Sequence, residues 1–374
     1  MGIALQKVIG FLLLIGIGVL LKQKITSKEE LKGVKAMILN IALPATIFIA
    51  LLKIQIKPNL LLLPVLALAA NFLLWWCAKF FLRIAGLSKD STYYRTLLLL
   101  ISSFAPGLSC FPFVAEFLGE QSLAMAAFAD VGNKIFVLII SYLLAMSWYY
   151  QLVAKQRIEV HRDNSRLKDL GLALLREPIN SVLLAAIGML CLGLNLQSLP
   201  TVLQDTVGRM SVLMTPLVLI FIGVAVKVNK SNLLFLIQIL CWRSGIGFLM
   251  SAILLIFLPP SLPVAILVLA VVFPQSACSF WPFAHMTAVE TLEHDQPALQ
   301  TFDLNLALNI LAFSLPFSTI IILIVCSSGA FFIDTSVLFS CGLALLVVAV
   351  VPILLKVGVP FSLKKKLKTL YYKW

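Results

Sequence analysis

Two pairs of prolines embedded in apolar sequence are the feature of this chain most able to do chemistry. The first pair lies in FAPGLSCFPF, residues 104–113, and the second lies in FPQSACSFWPF, residues 273–283. A proline inside a helix removes one backbone hydrogen bond and clashes with the preceding turn. In lipid, the backbone groups freed in this way are costly unless polar groups meet them. The two pairs therefore predict an unwound stretch in each of two membrane helices.

Two interrupted helices that cross near the middle of a membrane would direct the positive ends of their half-helix dipoles at one point. That point suits an anion. The alternative is a pair of bent helices that only pack against each other, but the feature occurs in both halves of the chain, which favours the crossing. The candidate substrate-binding residues in these stretches are Pro106, Gly107, Ser109, Pro112, Pro274, Gln275, Ser276, Ser279 and Pro282.

Arg243 is the most informative single charge, since it lies in the middle of the apolar segment QILCWRSGIGF. An arginine at that depth costs about 2.5–3.5 kcal/mol on insertion scales, so it must face protein or water. Two roles are open: it binds an organic carboxylate, or it ties down unwound carbonyls as a structural strut. Asn40, one turn before Pro44, is a further candidate, because its amide could meet carbonyls that this proline frees.

A second group of residues could couple to ions or protons. Asp130 and Lys134 are four residues apart, so they share a helix face and can pair, with Asn133 beside them. Such a pair either stabilises packing or takes part in ion or proton movement. Asp303 is the counterpart of Asp130 in the second half, and a sodium site would draw its side-chain oxygens from Asp130, Asn133 and Asp303. His285 could titrate near neutral pH, or it could be a hydrogen-bonding packing residue.

The composition indicates the class of protein whose helices must position these residues. The chain is 61% hydrophobic and only 12% charged, a balance that excludes an ordinary soluble domain and indicates a polytopic membrane protein. The net charge of +13 does not predict a nucleic-acid partner, because the basic residues flank apolar segments. The seven cysteines all lie inside apolar segments and predict neither disulfides nor a metal site.

The apolar segments predict an all-α protein with eleven membrane spans. Basic residues concentrate in alternate connections, which predicts an outside N-terminus and a cytoplasmic C-terminus in the cell (inner) membrane. The predicted spans are 4–21, 34–52, 58–82, 94–118, 122–148, 178–197, 204–226, 231–258, 262–289, 302–326 and 335–355.

The first five spans echo the next five. SCFPF (109–113) aligns with SFWPF (279–283), and Pro44 of the second span corresponds to Pro216 of the seventh. Because each unit has an odd number of spans, the second copy would be inverted, an arrangement typical of secondary transporters. The predicted units are a first repeat (1–148), a charged cytoplasmic loop (149–177), a second repeat (178–328), and an extra span with a basic tail (329–374).

Three segments resemble the auxin efflux carrier family, which includes bacterial permeases for malate or malonate. They are LKGVKAMILNIALPATIFIALL (31–52), FPFVAEFLGEQSLAMAAFADVGNKI (111–135) and SVLMTPLVLIFIGVAV (211–226). This chain departs from the family pattern at Ala105, where the family usually has Asn, and at Cys110, where it usually has Gly.

The resemblance implies a ten-helix core shared with sodium/proton antiporters and bile-acid symporters. In that core, spans 1, 2, 6 and 7 form a scaffold through which two copies dimerise. The remaining six spans of the core form a moving transport domain. Helices 4 and 9 are the broken, crossing pair.

The prediction that follows is a secondary transporter that exports a small organic anion. One alternative is a carboxylate symporter coupled to sodium or protons, and another is a membrane sensor that does not transport. No nucleotide motif, nucleophile–base pair or metal cluster is recognisable, so we predict neither an enzyme nor a cofactor. The expected partners are the anion, sodium or protons, membrane lipids and a second copy of the chain.

Overall fold

The protein is a bundle of helices. The computed structural model describes residues 3–24, 28–53, 60, 62–155, 178–225, 233–259, 261–293 and 300–357, and all regular structure among them is helical. Most of the predicted loop 149–177, and the tail after residue 357, lie outside the described residues.

Seven helices in the described part of the chain are long and apolar enough to cross a membrane. Two shorter apolar helices, Ile9–Leu21 and Thr335–Val351, add to these. The chain is therefore a polytopic α-helical membrane protein, whereas the count of eleven spans stays a prediction.

The helices follow one another with few long connections. They are α1 (Ile3–Leu21), α2 (Lys28–Met37), α3 (Leu43–Leu52), α4 (Leu62–Ile84), α5 (Thr92–Ile101), α6 (Pro106–Ser109), α7 (Phe111–Phe113), α8 (Gly119–Lys134), α9 (Ser141–Lys155), α10 (Pro178–Cys191), α11 (Thr201–Val212), α12 (Met214–Ala225), α13 (Leu233–Phe257), α14 (Val264–Val272), α15 (Phe280–Glu293), α16 (Leu304–Ser327) and α17 (Thr335–Val357). Wider π-helical turns join several of them, at Ile38–Ala42, Val114–Leu118 and Ile135–Ile140.

Gly119 divides the longest helical stretch, Phe111–Ala154, which contains 44 residues. A straight helix of that length would be about 66 Å long, roughly twice the apolar thickness of a bilayer. The backbone at Gly119 has φ +83° and ψ 176°, a conformation that only glycine adopts easily. The helical path therefore breaks there, between the predicted fourth and fifth spans.

The first interruption differs in position from the sequence-based prediction. Residues 102–105 leave the helix, whereas the residues between Pro106 and Pro112, which were predicted to unwind, are largely helical. Proline is favoured at the first position of a helix, and it disfavours helical geometry in the residue before it. Accordingly, Pro106 begins α6, and Ala105 has φ −128° and ψ 66°.

The second interruption lies between its two prolines, where it was predicted. Helix α14 ends in a single 3₁₀ turn, Phe273–Gln275, and residues 276–279 are not helical before α15 begins at Phe280. The Ser276 hydroxyl donates to the Phe273 carbonyl at 2.6 Å, which satisfies one of the acceptors left at the end of the turn.

The two interruptions are hydrogen-bonded to each other. The Ala105 amide donates to the Ala277 carbonyl at 2.8 Å. In return, the Ala277 amide donates to Ser109 Oγ at 2.9 Å, and the Ser279 amide donates to Ser103 Oγ at 3.0 Å. Backbone groups that each helix loses by unwinding are thus met by the other interrupted helix.

Helix α8 is held close to α4 at Gly132. A Cβ atom added to Gly132 would lie 1.8 Å from the Pro64 carbonyl oxygen, so the two backbones touch at this point. The contact fixes the position of the next residue, Asn133, relative to α4, so that Asn133 lies beside the first interruption.

We expect Gly132→Ala to lower the free energy of unfolding by about 1–3 kcal/mol, because the added methyl must push two helix backbones apart. Thermal unfolding in detergent would measure this. Gly188→Ala in α10 is the matched control, because its added Cβ meets nothing within 4 Å, and we expect it to be neutral or slightly stabilising. Equal stability of wild type and Gly132→Ala would contradict the close contact.

Candidate functional site

Asn133 clamps the first interruption. Its Nδ2 donates to the Phe104 carbonyl at 3.0 Å, and its Oδ1 accepts from the Phe104 amide at 3.3 Å. The same Nδ2 donates to Asp130 Oδ1 at 2.8 Å. One side chain on α8 therefore satisfies both backbone groups of an unwound residue and orients a carboxylate.

Asn71, which sequence reasoning missed, joins this cluster from α4. It is fully buried, and its Nδ2 donates to the Ser102 carbonyl at 3.0 Å and to Asn133 Oδ1 at 3.2 Å. Its own Oδ1 is buried without a hydrogen-bond partner among the described residues. The available signal was a lone amide in the otherwise apolar segment LALAANFLLWW, since a polar side chain at membrane depth needs a partner.

Asp130 and Lys134 form the ion pair that their spacing predicts. Lys134 Nζ lies 3.3 Å from Asp130 Oδ2, and the two side chains are only 6% and 4% exposed. Burial removes water from both charges, so each now depends on the other. The pair places a carboxylate and an ammonium next to the unwound Phe104.

Arg243 stabilises the first interruption through hydrogen bonds to its backbone. Its Nε donates to the Ile101 carbonyl at 3.0 Å, and its Nη2 donates to the Ser103 carbonyl at 2.7 Å. The guanidinium carbon also lies 5.1 Å from the centre of the Phe104 ring, a cation–π contact. Of the two roles left open by the sequence, the geometry supports the structural one, and Arg243 is not among the residues that line the cavity described next.

A cavity of about 120 Å³ lies where the two interruptions meet. Pro106 and Phe280, the first residues of the two half-helices, both line it, as does Ser279. Its charged lining residues are Lys35, Asp130 and Lys134. Two ammonium groups against one carboxylate leave the cavity with one net positive charge, to which the two helix N-termini add partial positive charge.

Lys35 is the second site residue that sequence reasoning missed. It lies at the start of the predicted span 34–52, and lysines at positions 22, 24, 28 and 32 precede it closely, so the pattern does not single it out. In the structure its Nζ lies 4.5 Å from the centre of the Phe280 ring, at the start of α15. Only the packing of α2 against the second interruption distinguishes Lys35 from its neighbours.

Several predicted substrate-binding residues have structural partners instead. Gln275 Nε2 donates to the Ser244 carbonyl at 3.2 Å, and its Oε1 accepts from the Ser244 hydroxyl, so it ties the 3₁₀ turn to α13. Ser109 and Ser276 bond to backbone groups of the interruptions, and Pro112, Pro274 and Pro282 are buried. From the predicted set, Pro106, Gly107 and Ser279 line the cavity.

Three other predicted residues are not brought to the cluster. Asp303 is the N-cap of α16: its Oδ1 accepts from the Leu306 amide at 2.9 Å. Its own amide donates to Thr96 Oγ1 in the middle of α5, and Thr96 precedes Phe104 by eight residues. His285 Nε2 lies 3.0 Å from the Val137 carbonyl oxygen and packs as a hydrogen-bonded side chain. Asn40 is exposed on a π-helical turn, where Leu39 lines the cavity in its place.

No protein-family model matches the chain, and a search of curated proteins finds no significant relative. Similarity to known proteins therefore assigns it neither a family nor a function. The charge, size and position of the cavity are the properties that bear on its role.

We expect Arg243→Met to lower the free energy of unfolding by about 3–6 kcal/mol, because each hydrogen bond to a charged donor contributes about 1.5–3 kcal/mol and two carbonyls lose theirs. Thermal unfolding in detergent is the measurement, and Arg209→Met, at an exposed position on α11, is the control. An Arg243→Met variant as stable as wild type would show that the strut is dispensable.

The ion pair predicts a non-additive double-mutant cycle. Asp130→Asn and Lys134→Met should each destabilise the protein by about 3–5 kcal/mol, because each leaves a buried charge without its partner. The double variant should be less destabilised than the sum of the two, which chemical unfolding would measure. Additive effects would mean that the two charges do not depend on each other.

Proposed function

We propose that this protein is a secondary transporter that carries a small organic anion through the cavity between the two interrupted helices. The observation that carries the proposal is the cavity itself, which is lined by both interruptions and has a net positive charge. Broken helices whose N-termini face a central site are the means by which many transporters bind anionic substrates.

Lys35 is the cation best placed to recognise the anion. The charges of Asp130 and Lys134 already balance each other, and Asn133 supports the carboxylate. Lys35 lines the same cavity, and its Nζ lies against the ring of Phe280, which begins α15. A carboxylate between Lys35 and the start of α15 would gain a charge-assisted hydrogen bond and a favourable helix-dipole interaction.

The size of the cavity supports a small substrate. A volume of about 120 Å³ is well below the roughly 300–1,000 Å³ of pockets that bind drug-sized ligands. In this conformation the cavity suits an anion of a few non-hydrogen atoms, such as a short mono- or dicarboxylate.

The proposal also includes an inverted repeat as the architecture of the protein. Two interruptions with paired prolines, hydrogen-bonded to each other, are what two copies of one five-span unit, 1–148 and 178–328, would produce. Membership of the auxin efflux carrier family and the outside-N, inside-C orientation stay predictions. An inside-negative potential of 100 mV would drive export of a monoanion by about 2.3 kcal/mol, roughly a fiftyfold gradient.

A symporter coupled to a cation is the second candidate. The observation that favours it is the buried Oδ1 of Asn71, which has no partner in the described part of the chain and lies within the same cluster as Asp130 and Asn133. An amide oxygen, a carboxylate and unwound carbonyls are oxygen ligands of the kind that transporters offer to sodium.

The test is charge movement in liposomes that contain purified protein, across a panel of short carboxylates, with and without sodium. We expect an anion-specific current that falls about tenfold or more in Lys35→Gln, since loss of one charge-assisted hydrogen bond of about 1.5–3 kcal/mol corresponds to that factor. Lys35→Arg should retain most of the current, and Arg209→Gln, outside the cavity, should match wild type.

Each other outcome has a definite meaning. A current that requires sodium, and that is lost in Asn71→Leu protein shown to be folded, would favour the symporter. No current for any anion, from protein shown to be folded, would refute transport of the anions tested. A current that Lys35→Gln leaves unchanged would exclude this cavity as the binding site.

A further inference from the structure

Two cavities that have no role so far share lining residues near the C-terminal end of α4. An apolar groove of about 590 Å³ lies between α4, α13 and α17. A more polar cavity of about 450 Å³ is bounded by the end of α4, the turn that follows it, α5 and α9. Lys79 and Arg83 line both, so the two form one composite site with an apolar part and a polar part.

The groove is walled by large apolar side chains from three helices. Trp76 and Phe80 of α4 are 71% and 68% exposed, and Trp242 and Leu346 face the same space from α13 and α17. In a membrane protein such a groove is open to lipid chains. Its length along α4, from Trp76 to Ile84, is about 12 Å at 1.5 Å per residue.

The polar cavity concentrates positive charge. Lys79, Arg83 and Lys89 line it, and Asp90 is the acidic residue among its described lining residues. Arg95 lines it too, but its guanidinium is engaged by backbone carbonyls, including that of Thr301 at 2.8 Å. The remaining three cations against one carboxylate leave this cavity strongly positive.

Two residues that line this cavity each carry a buried donor without an acceptor among the described residues. Tyr94 is only 3% exposed, and its hydroxyl is buried without a hydrogen-bond partner. The indole Nε1 of Trp75 is likewise unpartnered, although Lys79 Nζ lies 4.0 Å from the centre of the Trp75 rings. Buried donors are normally satisfied, so their presence beside the cations indicates a ligand with strong acceptor oxygens.

We propose that this composite site binds an anionic phospholipid, with its phosphate in the polar cavity and an acyl chain in the apolar groove. Basic pockets between membrane helices bind such headgroups, and the predicted orientation places this end of α4 at the cytoplasmic leaflet. A free phosphate would use the cations but leave the groove unexplained. Helix α17, which covers the predicted extra span 335–355, gains a role, because it forms one wall of the groove.

The test is native mass spectrometry of the full-length protein in detergent, equilibrated with phosphatidylglycerol and phosphatidylcholine that carry the same chains. We expect wild type to retain phosphatidylglycerol preferentially. Lys79→Gln/Arg83→Gln should reduce that preference about 25-fold, at roughly fivefold for each basic side chain removed. Lys22→Gln/Lys24→Gln removes two charges predicted to lie in the same leaflet but away from the site, and should keep the preference.

The variant Tyr94→Phe tests lipid binding independently of the stability of the fold. Its hydroxyl has no partner in the described protein, so the variant should unfold at the same temperature as wild type or higher when lipid-free. It should nevertheless lose several-fold in its preference for phosphatidylglycerol.

Three results would overturn the proposal. Equal retention of the two lipids would show that the headgroup charge is not recognised, and equal losses in the two double variants would show general surface attraction. Stabilisation by inorganic phosphate as large as that by phosphatidylglycerol, and dependent on Lys79 and Arg83, would identify a site for soluble anions instead.

Discussion

The structure depends on satisfying backbone that is unwound in an apolar surrounding. Residues 102–105 and 276–279 leave their helices, and no water in a bilayer core would meet their amides and carbonyls. The protein solves this by placing the two interruptions together, so that Ala105 bonds to Ala277 and serine hydroxyls complete the pairing. Arg243, Asn133 and Asn71 then satisfy the remaining carbonyls of the first interruption.

This arrangement explains why polar side chains that look like a binding site from the sequence are largely engaged in support. Arg243, Gln275 and Ser109 each bond to backbone or to a neighbouring helix. Their hydrogen bonds hold two half-helix N-termini at one small cavity, and the charged residues that line that cavity are others, namely Lys35, Asp130 and Lys134.

Charge is balanced differently at the centre of the protein and at the end of α4. The ion pair in the centre is nearly balanced and buried, whereas Lys79, Arg83 and Lys89 gather unbalanced positive charge where α4 ends. A central excess of one positive charge suits a transient small anion, because strong binding there would oppose release. The larger excess at the end of α4 suits a ligand that stays, such as a lipid of the surrounding bilayer.

The sequence by itself determined the features that depend on local pattern. The apolar segments predicted membrane helices, the paired prolines predicted two interruptions and the place of the second, and a four-residue spacing predicted the Asp130–Lys134 pair, because these follow from chain-neighbour geometry. Only the tertiary structure decided which distant groups meet: that Arg243 faces Ile101 and Ser103, that Asp303 meets Thr96, and that Asn71 and Lys35 reach the interruptions. It also decided that the first interruption precedes Pro106, where the second interrupted helix supplies partners for the unwound amides. Helical periodicity states which residues share a face, but the neighbour that covers the face is set by how the helices pack.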